Sequence, residues 1–237
     1  MVFVISYKTL LVFVPTKEML FAGIFLGIHF ALFFRGVQLT SIAEASLLGT
    51  TAPIFTGIYG FIFQKNPLIP KVVFGLFLAF VGAGALVSQS SFSETGTLGN
   101  ILALLSSIAI SYVLVAGKEI RKSFDVFEYT RWLFFFAAAT LFVISLFVNV
   151  SVFTISTTEF PWFVFLALVP TVIGHNIFYY LLKTLNTTTV AAVPLGEPVI
   201  SSVGALVFFG EPITAAIVFG GGITLFGVFL VVRFGDE

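Results

Sequence analysis

The chain has 237 residues, of which 59% are apolar and 9% are charged, and its mean hydropathy is +1.14. Soluble domains carry about 25% charged residues, so most of this surface must face lipid rather than water. The formal net charge is zero, no basic stripe for nucleic acid is present, and the absence of cysteine excludes disulfide frameworks and thiolate metal sites.

Eight apolar runs are long enough to cross a bilayer core of roughly 30 Å at about 1.5 Å per residue. Residues 1–14 are also apolar, but they are short and Lys8 interrupts them. The predicted spans run approximately over Met19–Gln38, Ser41–Phe63, Val72–Val87, Gly99–Gly117, Tyr129–Asn149, Phe160–Leu182, Thr187–Phe209 and Ile213–Val232. Backbone polar groups in lipid must be bonded within their own segment, and runs without alternating polarity are not barrel strands. The predicted fold class is therefore all-α, a polytopic helical membrane protein.

Two polar segments mark boundaries between these spans. Ser41 and Glu44 have the spacing of a capping box, in which the serine oxygen and the glutamate each bond a free amide at a helix start. Ser88–Leu98 is the longest polar stretch and is the natural seam between two halves of the chain.

The two halves repeat each other at a fixed shift, which indicates a tandem duplication. The residues that recur 145 positions later are Pro53 as Pro198, Pro67 as Pro212, Gly75 as Gly220 and Gly82 as Gly227. The two histidines, His29 and His175, recur at a shift of 146, so one residue is gained or lost between Leu39 and Pro53. The predicted repeats are residues 1–88, incomplete at the start, and residues 99–233.

The first repeat has no counterpart for the first two helices of the second. Met1 corresponds to about Phe147, so the equivalents of residues 99–145 are missing. Either the ten-helix plan has lost two helices, or the stated start lies downstream of the true one. The second explanation is favoured, because eight helices leave half of a paired design without its mate.

Lysine and arginine are concentrated on one side of the predicted topology. That side receives nine of them, namely Lys17, Lys65, Lys71, Lys118, Arg121, Lys122, Arg131, Lys183 and Arg233. The other side receives Arg35, and Lys8 is unassigned. The positive-inside rule makes the basic side cytoplasmic, which predicts a plasma-membrane protein with a cytoplasmic C-terminus. Because five helices per copy is an odd number, the copies insert in opposite directions and form an inverted repeat, the architecture of alternating access.

Several segments together resemble the EamA-type permeases of the drug/metabolite transporter superfamily. They are Leu39–Pro53 with its partner Leu185–Pro198, then Phe209–Pro212 and the helix that carries Gly220 and Gly227. The resemblance covers about Met19–Val232. It implies ten helices in two repeats, both termini in the cytoplasm, and secondary transport that exports or exchanges small metabolites, amino acids or drug-like molecules. No cofactor is expected. The expected partners are a small-molecule substrate and the lipid bilayer, while proton coupling and a homodimer are left open.

Glu197 is the first candidate site residue. It lies near the middle of its span, where an ionised carboxylate is costly, and Pro198 removes the amide that would bond the Pro194 carbonyl. These features predict a proton carrier or a counter-charge for an amino group. The alternative is a protonated glutamate that bonds a neighbouring helix or only packs.

His29 and His175 form a second candidate group, because equivalent repeat positions approach one cavity from opposite halves. Tyr179 shares a helix face with His175 and Asn176 lies beside it. The alternative is that each histidine is satisfied by a backbone carbonyl.

The remaining candidates are weaker. Glu44 is already explained by capping, and Ser107 and Ser111 would line a polar helix face or bond their own backbone. Pro53, Pro194 and Pro198 are predicted helix breaks, and Gly75, Gly82, Gly220 and Gly227 predict close helix packing. No metal-site or nucleophile motif is present. Besides a transporter, the sequence leaves open a dimerising membrane scaffold and, with less support, an intramembrane enzyme that uses a histidine base.

Overall fold

The structure is a computed structural model that describes residues 14–40, 42–64, 69–87, 96–148, 156–209 and 215–235. Within these ranges all regular structure is helical. The α-helices are α1 Lys17–Leu39, α2 Ile42–Gly49, α3 Ala52–Gln64, α4 Pro70–Val87, α5 Thr97–Ile120, α6 Val126–Phe147, α7 Phe160–Leu166, α8 Asn176–Leu181, α9 Thr187–Ala192, α10 Glu197–Phe209 and α11 Ala215–Phe234. A π-helix, Ala167–His175, joins α7 to α8, and a 3-10 turn, Val193–Gly196, joins α9 to α10. The predicted Ser41 cap and most of the polar seam lie outside the described residues.

Among the described residues, five apolar helical segments are long enough to cross a membrane. They are Lys17–Leu39, Glu44–Ile62, Thr97–Ile120, Val126–Phe147 and Phe160–Leu181, and two shorter apolar helices cover Pro70–Ala85 and Val218–Phe234. Five of the eight predicted spans coincide with single helices, namely α1, α4, α5, α6 and α11. The other three coincide with pairs of α-helices that are joined by Thr50–Thr51, by the π-helix or by the 3-10 turn. The prediction of an all-α, polytopic membrane protein is confirmed.

Helix α5 lies at the centre of the bundle. Its buried face packs against α1, α2, α3 and α9, and α1 packs in turn between α5 and α6. Two glycines allow these close approaches. A Cβ on Gly36 would lie 3.0 Å from the Gly99 carbonyl oxygen of α5, and a Cβ on Gly27 would lie 2.8 Å from the Ala137 carbonyl oxygen of α6. The first helix of the second half is therefore the main support for α1, α2 and α3 of the first half.

Helices α4 and α11 form the closest pair, and their contact is reciprocal. A Cβ on Gly75 would lie 2.8 Å from the Gly227 carbonyl oxygen, and a Cβ on Gly82 would lie 2.5 Å from that of Gly220. The repeat shift pairs Gly75 with Gly220 and Gly82 with Gly227, so exchanging the halves maps one contact onto the other. Such reciprocity indicates a two-fold relation. Because the helices run antiparallel, the axis relates two halves of opposite direction.

Candidate functional site

A cavity of about 230 Å³ lies between α1, α2, α3, α5, α8 and α9. Both halves of the chain build its wall. The first half contributes His29, Gly49 and Thr50, and the second half contributes His175, Tyr179 and Glu197. The structure thus brings together both histidines, Tyr179, Pro194 and Glu197 from the residues singled out in the sequence.

Each histidine is held by one backbone carbonyl. His29 Nδ1 lies 2.9 Å from the Ser106 carbonyl oxygen on α5, and His175 Nδ1 lies 3.1 Å from the Pro170 carbonyl oxygen within its own π-helix. The ring of Phe30 lies between them, with its centroid 5.3 Å from His29 and 5.4 Å from His175. When Nδ1 donates to a carbonyl, Nε2 of a neutral imidazole is left as an acceptor. Both rings therefore keep one nitrogen for other use at the cavity wall.

Glu197 stands at the start of α10, directly after the 3-10 turn. Within the described residues its side chain is exposed and forms no hydrogen bond or ion pair. A carboxylate at membrane depth usually pairs with another group or lines a cavity. Glu197 lines the cavity, so its carboxylate is available to a proton or to a cationic group.

The helices that cross this cavity wall are broken at equivalent places in the two repeats. The α2–α3 span is interrupted at Thr50–Thr51, and the α9–α10 span by the 3-10 turn Val193–Gly196. Under the repeat shift of 145, Thr51 corresponds to Gly196. In membrane carriers, discontinuous helices of this kind place backbone groups around a central site.

The first break frees two carbonyl groups beside the cavity. Pro53 has no amide to offer the Gly49 carbonyl, and the Ile54 amide bonds the Thr51 carbonyl at 3.0 Å rather than that of Thr50. Hydroxyl groups compensate the carbonyls before the break: Thr50 donates to Leu47 at 2.9 Å. The break therefore adds backbone carbonyl groups to the polar side chains beside the cavity.

Other candidates lie outside this cavity. Ser107 and Ser111 are fully buried between α5 and the first break. Glu44 accepts a hydrogen bond from the Thr40 hydroxyl at the α1–α2 corner, beside Gly96. The Asn176 amide donates to the Val172 carbonyl of its own helix.

A second, larger cavity of about 450 Å³ lies between α3, α4 and the start of α9. Half of its lining residues are isoleucine, valine, leucine or phenylalanine, and the others are three glycines with Pro53, Thr56, Asn186, Thr187 and Thr188. None of its lining residues is ionisable. The smaller cavity carries the titratable groups, and it is the candidate functional site.

Sequence reasoning placed a helix break at Pro53 but did not identify Thr50–Thr51 as the interrupted residues, and it missed the apolar walls Phe33 and Phe178. A signal for the break was present, since the repeat shift changes from 146 to 145 between Leu39 and Pro53, the interval that contains it. The aromatic walls gave no signal, because phenylalanine is common along the whole chain.

From the sequence, Lys118 and Arg121, at one end of α5, predict only the orientation in the membrane. The Arg121 Nε donates to the Tyr179 carbonyl at 3.2 Å, and its guanidinium also donates to the Phe124 carbonyl. Burial lowers the pKa of Arg121, although the nearby Asp125 carboxylate opposes that shift. Lys118 Nζ donates to the Leu185 carbonyl at 2.8 Å. Both cations therefore fasten α8 and the turn after it to α5.

A polytopic helical protein with two oppositely directed halves and interrupted helices around a shared cavity has the architecture of a membrane carrier. The model of the EamA-like transporter family matches residues 2–88 and 97–233. The chain belongs to this family, and it is a multi-pass membrane transporter. The predicted family is confirmed.

Two relatives and one solved structure are similar to this chain. An uncharacterized transporter of Archaeoglobus fulgidus is 26% identical over 208 residues, which cover 85% of this chain and 70% of the relative. The uncharacterized transporter YyaM of Bacillus subtilis is 26% identical over 218 residues, covering 87% and 72%. A protein crystal structure matches with a TM-score of 0.70 and 15% identity over 91% of this chain and 88% of that one. This structural likeness shows the fold alone.

Proposed function

We propose that this protein is a secondary active transporter that exports or exchanges small metabolites by alternating access. We place it in the plasma membrane with its C-terminus in the cytoplasm. One observation carries the proposal: a single cavity takes its wall from both halves and contains two histidines and the Glu197 carboxylate, which has no partner among the described residues.

The architecture supports alternating access for a mechanical reason. If each half can adopt two slightly different packings, exchanging them between the halves opens the cavity to the other side of the membrane. The reciprocal contact of α4 and α11 and the paired breaks of α2–α3 and α9–α10 supply that symmetry.

The cavity wall indicates the class of substrate. Its volume of about 230 Å³ is below the roughly 300–1,000 Å³ of pockets that take drug-sized ligands. Phe33 and Phe178 offer apolar surface, and Glu197 offers the only carboxylate among the lining residues. We therefore favour small metabolites with an amino group, such as amino acids, over larger compounds.

Transport in proteoliposomes tests this function and the role of Glu197. Uptake of a panel of radiolabelled amino acids and a quaternary-ammonium dye would be measured under an imposed pH gradient. We expect Glu197→Gln to lower pH-driven flux about tenfold, which corresponds to about 1.4 kcal/mol. Exchange without a pH gradient should be less affected if the carboxylate carries the proton.

The matched control is Glu119→Gln. Glu119 is exposed on α5 and pairs with Lys122 at 2.7 Å, outside the cavity. Unchanged pH-driven flux in Glu197→Gln would remove Glu197 from proton coupling. Absence of flux for every compound in the wild-type protein would contradict the choice of substrate class.

A further inference from the structure

Side chains of α5 fasten the first helix break, Thr50–Thr51, to the second half of the chain. The Thr51 hydroxyl is shared between the Leu48 carbonyl at 2.6 Å and Ser107 Oγ at 2.9 Å. The Ser111 hydroxyl is shared between the Ser107 carbonyl at 2.7 Å and the Ala52 carbonyl at 3.0 Å. Ser107 and Ser111 are completely buried. The contacts of Ser107 with Thr51 and of Ser111 with Ala52 join residues 56 and 59 positions apart, at the break itself and at the first residue of α3. They are tertiary contacts that hold the break, in addition to the local bonds of the same hydroxyls.

The packing around this break is also tight. A Cβ on Gly49 would lie 2.7 Å from the ring of Phe33, a cavity-lining residue of α1. The broken segment is thus wedged between α1 and α5. Gly49 and Thr50, the residues that carry the freed carbonyls, line the cavity.

The equivalent break in the second repeat is held differently. Within the described residues, no side chain of another helix bonds the 3-10 turn Val193–Gly196, and a Cβ on Gly196 would meet only Leu225 at 3.8 Å. Val193 is 45% exposed, and Ile200 in the following turn is 73% exposed. The same helix interruption is therefore held by hydrogen bonds to another helix in the first repeat. In the part of the second repeat that the structure describes, it is held by apolar packing alone, with Leu195 buried against α4 and α11.

We propose that Ser107 and Ser111 are positioning residues that fix the first break as the immobile wall of the cavity, so that the α9–α10 break supplies the movement. The part of this proposal that concerns movement during transport rests on the proposed function. The part that concerns how Ser107 and Ser111 hold the first break does not. Loss of the serine hydroxyls would let the Thr50–Thr51 segment rotate and would change the exposure of Thr50 to the cavity.

The natural absence of cysteine permits a direct test. A single Thr50→Cys would report on the break, and a single Ser46→Cys would report on the same wall one turn earlier, within regular α2. Each is placed in a wild-type, a Ser107→Ala/Ser111→Ala and a Ser106→Ala background. Reaction rates with a small charged methanethiosulfonate reagent are measured on the purified protein.

We expect the double variant to change the reaction rate at Thr50→Cys by about fivefold or more, the population change produced when one or two buried hydrogen bonds are lost. The rate at Ser46→Cys should stay the same. Ser106 is a matched control because it is equally buried on α5, but its hydroxyl bonds Ala103 of its own helix at 2.7 Å. Equal rates at Thr50→Cys in all three backgrounds would overturn the inference.

Thr51 tests the same contact from the other side. Thr51→Val keeps the shape and removes the hydroxyl, whereas Thr51→Ser keeps the hydroxyl, so the first should reproduce the effect at Thr50→Cys and the second should not. If the Ser107→Ala/Ser111→Ala variant is not monodisperse, the comparison of Thr51→Val with Thr51→Ser tests the proposal in its place. Labelling needs no substrate, so the two proposals can fail separately. A changed labelling rate at Thr50→Cys without measurable flux would support the inference and contradict the proposed function. Intact flux with unchanged labelling rates would support the proposed function and contradict the inference.

Discussion

Two tyrosine side chains show how individual polar groups are treated inside this bundle. Tyr129 and Tyr179 meet edge to face, with ring centroids 5.4 Å apart, and both are fully buried. Within the described structure, neither hydroxyl has a hydrogen-bond partner. Leaving a buried hydroxyl unsatisfied costs about 1–3 kcal/mol. The two residues differ in position, because Tyr179 lines the cavity and Tyr129 does not.

This difference predicts different outcomes for the same substitution. We expect Tyr129→Phe to keep the free energy of unfolding or raise it by about 1 kcal/mol, since it removes an unsatisfied group. Tyr179→Phe should be equally stable but should lower the transport rate, because Tyr179 is the one of the two tyrosines that lines the cavity. Thermal unfolding in detergent and flux in proteoliposomes measure the two effects. A clear loss of stability in Tyr129→Phe would show that its hydroxyl has a partner after all.

The α4–α11 pair carries the sharpest prediction for a whole element. A Cβ on Gly82 would lie 2.5 Å from the Gly220 carbonyl oxygen and 2.5 Å from the Thr224 amide, which are backbone atoms that cannot yield by a rotamer change. Gly82→Ala should therefore separate the helices and destabilise the protein by about 1–3 kcal/mol, the usual cost of overpacking.

Gly84 provides the control on the same helix. A Cβ there meets nothing within 4 Å, so Gly84→Ala should be neutral or slightly stabilising, because alanine is the better helix former. Melting temperatures of the two variants, compared in one detergent, check the prediction. Equal melting temperatures would mean that α4 and α11 do not pack through these glycines.

The sequence predicts the helices well and their interruptions only in part. Long apolar runs specify spans because lipid demands internally bonded backbone, so Gly99–Gly117 was placed within three residues of the observed α5. Pro53, Pro194 and Pro198 mark where a helix loses an amide. They do not say which neighbour stabilises the break. Ser107 and Ser111 were placed on a polar helix face, but only the packing shows that this face meets α2 and α3.

At the scale of the molecule, the repeat predicts symmetry and misses the differences between the halves. His29 sits on a continuous helix packed between α5 and α6, whereas His175 ends a π-helix whose preceding α7 is exposed throughout. One histidine therefore bonds another helix and the other bonds its own. A repeat shows which residues correspond in the two halves, but it does not show which helices each of those residues contacts.

The topology of the whole molecule yields the last prediction. Helix α6 has 22 residues, so it is about 33 Å long at 1.5 Å per residue, enough to cross a bilayer core once. Ser123, before α6, and Thr184, between α8 and α9, are exposed and lie beside Lys122 and Lys183. Thr158, before α7, is also exposed. The charge pattern places the first two in the cytoplasm and the third outside.

Single cysteines at these positions make the topology measurable without background labelling. In intact cells, a membrane-impermeant maleimide should label Thr158→Cys at once and should label Ser123→Cys and Thr184→Cys only after permeabilisation. The reverse pattern would invert the protein in the membrane while leaving the two halves antiparallel. If Ser123→Cys and Thr184→Cys react from opposite faces, then α6 through α8 do not cross the membrane twice. The two-fold relation of the halves would then no longer span the bilayer, and a cavity shared between them could not open to each side in turn.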